Sequence, residues 1–163
     1  MLNTALRSAK KIGLISDTHG LLRPEAIAAI QGSELILHAG DVGKPEILEE
    51  LSKLAPTIAI RGNVDTAPWC SVLPATQLVE LASANIYMLH NVGELDLNPA
   101  AARIQIVLYG HSHQPTRSEK DGVLYLNPGS AGPRRFNLPI SLARLDLGSK
   151  PWDIKFITLS GAS

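Results

Sequence analysis

The chain has 163 residues, enough to enclose one hydrophobic core and short of what two ordinary domains need. Hydrophobic residues make up 45% and charged residues 18%, a globular composition with no apolar run long enough to span a bilayer, so a soluble, cytoplasmic protein without a membrane partner is expected. Fifteen basic residues balance fifteen acidic ones, which argues against nucleic acid as an electrostatically held partner but leaves a small phosphoester substrate open, because metal ions can supply local positive charge.

Residues 1–10 read as a short N-terminal extension, with Arg7 and Lys10 basic and no apolar stretch of the kind a cleaved secretory signal needs. The remainder, 11–163, reads as one domain. Ile12–Ser16 is a buried-strand pattern that ends in Asp17-Thr18-His19-Gly20, and Pro24 then opens a helix over Glu25–Ile30. Leu35–Ala39 runs into Gly40-Asp41 in the same way, Pro45 opens a helix to about Leu54, and Ala55-Pro56 stops it. Thr57–Ile60 runs into Arg61-Gly62-Asn63. Near-continuous apolar strands alternating with helices predict a parallel sheet covered on both faces, with the strand ends opening on one crevice.

The second half changes character. Gln77–Leu81 and Ile86–His90 flank Ala82-Ser83-Ala84-Asn85 and read as a hairpin; Asn98-Pro99 then starts a short alanine-rich helix that leads to Ile106–Tyr109 and Gly110-His111-Ser112-His113. Val123–Leu126, Ser141–Leu147 and Ile154–Leu159 read as further strands, the last two joined through Gly148-Ser149-Lys150. Helices early and strands late predict a mixed-sheet α/β domain.

Cys70 is the only cysteine, which excludes an intrachain disulfide or a thiolate-rich zinc site. Four of the five histidines, His19, His90, His111 and His113, fall at or just past predicted strand ends, as do Asp17, Asp41 and Asn63. Imidazoles and carboxylates without thiolates suit manganese, iron, zinc, nickel or magnesium. Seven such donors exceed what one four-coordinate ion needs, whereas two ions sharing a bridging carboxylate would use them all and still admit water and substrate. Each fragment alone also reads as ordinary turn chemistry, Gly-Asp and Gly-Asn above all. The histidine pair after an apolar strand is the sharpest fragment, since buried imidazoles need partners.

Taken in order, Asp17-Thr18-His19, Gly40-Asp41, Gly62-Asn63, His90 and Gly110-His111-Ser112-His113 resemble the calcineurin-like metallophosphoesterases, and most of all their small single-domain bacterial and archaeal phosphodiesterases, which are related to the retromer scaffold subunit. Asn127-Pro128-Gly129-Ser130 followed by Pro133-Arg134 fits the same branch, and the likeness covers roughly residues 11–160. The resemblance implies a four-layer α/β/β/α sandwich with mixed sheets. It implies two divalent ions, manganese first among the candidates, with Asp17, His19 and His113 on one, Asn63, His90 and His111 on the other, and Asp41 between them. It further implies in-line attack of a metal-bridging hydroxide on a phosphodiester, with Asp17, Asp41, Asn63 and His90 as the catalytic set. A non-catalytic protein-binding scaffold that keeps the metal-site fold is the alternative, and a homo-oligomer is compatible with either.

Three positions depart from the family pattern. Val64 stands where larger relatives carry a histidine implicated in protonating the leaving group, His90 is followed by Asn91-Val92-Gly93 rather than Gly and a second histidine, and the segment from His90 to His111 is shortened. His38, inside a strand, is expected to be a hydrogen-bonded core or supporting group rather than a ligand. Arg61 and Arg134 are candidates for substrate phosphate, with solvated loop positions as the plainer reading of each.

Overall fold

The structure, a computed structural model, describes residues 2–159. Two five-stranded mixed sheets pack face to face. The first runs β10-β9-β1-β2-β3, from β1 (Lys11–Ile15), β2 (Leu35–His38), β3 (Thr57–Ala59), β9 (Ser141–Asp146) and β10 (Asp153–Thr158). The second runs β4-β5-β6-β8-β7, from β4 (Thr76–Glu80), β5 (Asn85–Leu89), β6 (Ile106–Leu108), β7 (Thr116–Lys120) and β8 (Val123–Asn127).

Alternation along each strand builds the layers. Ile12 and Leu14 of β1 and Leu35 and Leu37 of β2 meet Ile86, Met88, Ile106 and Leu126 from the second sheet in the central core. Ile15 and Ile36 point the other way and are covered by Ala26 and Ile30 of α2 (Pro24–Ile30) and Ile47 and Leu51 of α3 (Pro45–Ser52). Burying each such side chain contributes about 1.5–3 kcal/mol as an upper bound. Both helices begin on proline, where the missing N–H costs nothing. The outer face of the second sheet carries Leu89, Val107 and Val123, covered by Val92, Leu95 and Leu97. The fourth layer is therefore thin: a short 3-10 turn (Val92–Glu94) and extended chain lie where a full helix would complete the sandwich.

Residues 2–10 are not a loose arm. Helix α1 (Thr4–Arg7) is capped by the Asn3 side chain, and Leu2 and Leu6 pack against the central core. The expected alanine-rich helix after Asn98 does not form. Asn98 does cap a turn, accepting from Ala101 N–H at 3.2 Å, but Arg103 takes a left-handed backbone (φ 60) that ends it before a helix develops, so that Ile104 can enter the core. Strand β7 is an addition to the expected set: the edge strand Thr-Arg-Ser-Glu-Lys pairs with β8 across the turn Asp121-Gly122, both at positive φ. No helix among the described residues is long and apolar enough to cross a membrane.

Parallel pairing decides where the chemistry lies. β1, β2 and β3 run parallel, as do β5, β6 and β8, so the loops after them emerge from the same edges of their sheets. Asp17, Asp41, Asn63, His90, His111 and His113 all sit on those loops.

Candidate metal centre

At the meeting of the two sheet edges, three imidazoles aim Nε2 at two buried carboxylates. Asp17 Oδ1 lies 3.4 Å from His113 Nε2, 3.6 Å from His90 Nε2 and 3.8 Å from His19 Nε2. Asp41 Oδ2 lies 3.1 Å from His90 Nε2 and 3.7 Å from His19 Nε2. His19 and His113 bring their Nε2 atoms to 3.3 Å. Two donors each about 2.0–2.1 Å from a common ion stand roughly 3–3.5 Å apart; the 3.1, 3.3 and 3.4 Å spacings fall in that range and the 3.6, 3.7 and 3.8 Å spacings lie just beyond it. Among the described residues, two sets of donors gather within 4.8 Å: Asp17, His19 and His113, and Asp17, Asp41 and His90.

The donor set also fits an ion by what it leaves undone. Asp17 Oδ1 and His90 Nε2 are buried without any hydrogen-bond partner. Such orphans are costly unless a cation takes the lone pairs. Their other atoms are fixed: Asp17 Oδ2 accepts from Ser16 Oγ at 2.7 Å and from His111 N–H at 3.2 Å, and His90 Nδ1–H donates to the Ala39 carbonyl at 2.7 Å. Asp41 Oδ1 accepts from Val64 N–H at 3.0 Å. That bond occupies Oδ1, and Oδ2 is the oxygen that faces His90 and His19. Asp17 Oδ1 reaches both donor sets as well.

The backbone is bent to serve this cluster. Among the described residues, eight non-glycine residues have positive φ, and five of them are Asp17, His19, Asp41, His111 and His113. Left-handed conformations cost energy for residues with a Cβ and concentrate at sites where the surroundings enforce them. Glycines give the close approach: a Cβ on Gly62 would stand 2.1 Å from Asp41 Oδ1, and one on Gly110 would stand 2.1 Å from Ser16 Oγ.

His38 is the hydrogen-bonded supporting group that its strand position implies. Its Nδ1 accepts from Gly40 N–H at 3.1 Å, so the proton is on Nε2, which donates to Thr18 Oγ1 at 3.0 Å; Thr18 passes its own proton to the Val42 carbonyl at 2.8 Å. This chain ties the Asp17–His19 loop to the Asp41 loop. Two further residues organise the loops from beside the donor set. Asp65 is buried and accepts from the N–H groups of Val42, Gly43 and Gly62 at 3.1, 3.1 and 2.8 Å, locking the loops after β2 and β3. Asn127 donates to the Gly110 carbonyl and to Ser112 Oγ, which fixes the His111–His113 loop. An Asp three residues after a Gly that must accept bonds is a turn signal, and it could have marked Asp65.

Charge follows geometry. Burial works to raise the pKa values of Asp17 and Asp41, but the imidazoles of His113 and His90 outweigh it for Asp17, as His90 and the Val64 N–H do for Asp41, and both stay below the ordinary carboxylate value. Burial works against charge on His90 too, yet the two carboxylates prevail and raise its pKa. For His19 burial wins and lowers it. His38, fully buried, is lowered to about 4 by burial and is neutral at physiological pH.

Asn63 and His111 are less deeply placed. Both are exposed and line, with His90, a cleft of about 370 Å³ whose walls include Arg61, Glu94 and Asp96. The His111 ring meets that of His90 edge-on at 5.3 Å. Arg61 Nη1 also donates to the Leu73 carbonyl at 2.6 Å, which anchors it at the wall. On the opposite side His19 and His113 open on a second cleft, walled by Arg134, Arg135 and Phe136.

The sequence profile of the calcineurin-like phosphoesterase superfamily domain matches residues 11–150. A protein of Methanothermobacter thermautotrophicus named as a probable metallophosphoesterase is 35% identical over 148 residues, 83% of this chain and 86% of that one. Phosphodiesterase YfcE of Escherichia coli K12 is 28% identical over 83% of this chain and 87% of its own. The crystal structure of Chaetomium thermophilum Vps29 is similar in fold, with a TM-score of 0.73 at 17% identity over 93% of this chain and 97% of that one.

Proposed function

Because the chain belongs to the calcineurin-like phosphoesterase superfamily, we propose that it is a metal-dependent phosphodiesterase working on small phosphoesters with two divalent ions. The observation that carries this reading is the convergence of His19, His90 and His113 Nε2 on buried, partnerless Asp17 Oδ1 and on Asp41 Oδ2. Asp17, His19 and His113 would hold one ion and Asn63, His90 and His111 the other, with Asp41 between them, its Oδ2 near both His90 and His19; Asp17 belongs to both donor sets. Manganese is the first ion to test, since the donor set suits it. Bound there, divalent ions supply Lewis acidity that activates water for in-line attack and offsets charge on the phosphoryl oxygens.

The chain's own residues prepare that chemistry. The Ala39 carbonyl holds the His90 ring in the tautomer that presents Nε2 as a lone pair. Ser16 and the His111 N–H hold Asp17 Oδ2 in place, while the His113 and His90 imidazoles keep the carboxylate ionised against burial. Arg61, on the wall of the cleft beside His90, and Arg134, on the wall of the cleft beside His19, would meet phosphate oxygens, and the exposed Asn63 and His111 leave room for a substrate beside His90.

The test is hydrolysis of an aryl phosphodiester by the chain reconstituted with manganese, zinc, nickel, iron or magnesium. Turnover that depends on the added ion and fails on chelation is expected. Negligible turnover with two ions bound per chain would favour the protein-binding scaffold instead.

A further inference from the structure

At the rim of the centre one aromatic ring stands almost wholly in solvent: Phe136 is 85% exposed, and its backbone is left-handed at φ 52. Exposure of a bulky apolar ring and a left-handed backbone beneath it are both unfavourable, and together they mark a position held for something other than packing. The root of its loop is rigid. Ser130 Oγ donates to the Asp17 carbonyl at 2.9 Å, Ala131 N–H to the Ser16 carbonyl at 3.0 Å, and Arg23 Nε to the Gly132 carbonyl at 3.2 Å. A turn closed from Leu138 N–H to the Arg135 carbonyl at 3.1 Å then presents Arg135 and Phe136 over a cleft of about 500 Å³ shared with His19 and His113. The charge of Arg135 is felt at the His19 ring.

The two clefts differ in sign. The one beside His90 carries Glu94 and Asp96 against Arg61, whereas the one beside His19 carries Arg134 and Arg135 and no carboxylate on its wall. An anionic arm of a diester is therefore directed to the His19 side. A lone ring flanked by cations does not suit a lipid or protein face, which needs contiguous apolar surface, but it does suit a planar base next to a phosphate.

We propose that Phe136 and Arg135 form a specificity subsite for a nucleoside phosphodiester, with the base of the retained nucleotide stacked on Phe136 and Arg135 beside its phosphate. The proposal rests on the phosphodiesterase reading above. In the reaction a water gives up a proton to solvent as its oxygen bonds to phosphorus, the P–O bond to the leaving group breaks with its electron pair going to the departing oxygen, which takes a proton from solvent where it is basic, and the nucleoside 5′-phosphate is retained in the subsite until released.

Two substrates with the same leaving group isolate the effect: thymidine 5′-(p-nitrophenyl phosphate) and methyl p-nitrophenyl phosphate. The wild type is expected to favour the thymidine ester in kcat/KM by about 5- to 150-fold, the range that base–aromatic stacking supplies. Phe136→Gly, which accepts the left-handed backbone and removes only the ring, should abolish the preference and leave the methyl ester unchanged, and Phe136→Trp should retain it. Equal rates on both esters, or a preference that survives Phe136→Gly, would overturn the subsite. Calorimetric binding to the magnesium-loaded chain separates this from the catalytic reading: thymidine 5′-phosphate should bind tighter than inorganic phosphate, and Phe136→Gly should erase the difference. If neither ester is hydrolysed, the phosphodiesterase reading fails, while the binding comparison still decides the subsite.

Discussion

The Nδ1–H of His90 donates to the carbonyl of Ala39 at 2.7 Å, joining the end of β5 in one sheet to the end of β2 in the other. The bond leaves Nε2 facing Asp41 and Asp17, whose carboxylates hold the His90 pKa above the ordinary imidazole value against the opposing effect of burial. A proton therefore occupies Nε2 to a higher pH than in free imidazole, and an ion must displace it. Metal uptake is expected to release a proton from this residue, and to do so up to a higher pH than a free imidazole would. Affinity should climb with pH and level off only above the raised pKa. Calorimetry in buffers of different ionisation enthalpy measures the release, and an affinity independent of pH would contradict histidine ligation.

Asp17 and Asp41 should be equally indispensable. Asp17 belongs to both donor sets, and Asp41 Oδ2 faces His19 as well as His90. Elemental analysis of Asp17→Asn and of Asp41→Ala is expected to find both ions lost in each. His19→Ala should cost chiefly the ion it shares with Asp17 and His113. Retention of a full complement in Asp41→Ala would show that Asp17 alone connects the two positions.

His38 makes stability fall in acid. Its folded pKa is about 4 against an ordinary 6.5, so between those values the unfolded chain binds the extra proton and the folded chain does not. The contribution is complete above pH 6.5, declines as pH drops, and is gone below pH 4. The linked loss is on the order of 3 kcal/mol. His38→Gln should flatten this part of the profile of unfolding free energy against pH, while lowering stability at neutral pH by about 1–3 kcal/mol for the broken Gly40–His38–Thr18 chain. An unchanged profile would mean that other groups carry the acid sensitivity.

Chelation should destabilise the chain. Ions that bind only the folded form add about 2.7 kcal/mol at a free concentration 100 times Kd, and the partnerless Asp17 Oδ1 and His90 Nε2 are the atoms that lose their partner on removal. A melting temperature that rises with added manganese and drops with chelator is the expected outcome. No shift in either direction would mean that these ions do not bind the folded chain preferentially.

What the sequence makes legible follows from burial. Strands β1, β2 and β6 announce themselves because both faces are covered, so their apolar runs are unbroken and the polar residues after them stand out. β7 gives no such signal: its residues after Thr116 are exposed, and only the Asp121-Gly122 turn betrays it. The segment after Asn98 carries helical composition, yet the needs of Ile104 decide its shape, and composition does not encode that. Residue chemistry marks Asp17, His19, Asp41, His111 and His113 as candidate donors, but the left-handed backbone beneath them is not legible, because only glycine advertises positive φ. Asp65 is faint as an organiser because its partners are backbone amides, so that only its spacing from Gly62 hints at the role.

The leaving group should be the reaction's weak point. Val64 is 49% exposed and its N–H bonds Asp41 Oδ1, so position 64 borders the centre and offers no proton. The neighbouring acids are occupied. Both oxygens of Asp65 accept backbone N–H groups, and His38 is buried with both nitrogens engaged. General acid catalysis contributes about 100- to 10,000-fold, most where the departing alkoxide is basic. Aryl phosphodiesters, whose leaving group is a stable anion, should therefore turn over readily and alkyl esters poorly, with log kcat/KM falling steeply as leaving-group pKa rises. Asp65→Asn should lower stability and metal affinity by loosening the loops after β2 and β3, yet keep that slope. Val64→His is expected to raise rates on alkyl esters by about 10-fold or more while leaving aryl esters nearly unchanged, a partial recovery of the missing acid. A flat dependence in the wild type, with chemistry rate-limiting, would require a proton donor other than the side chains of Val64, Asp65 and His38.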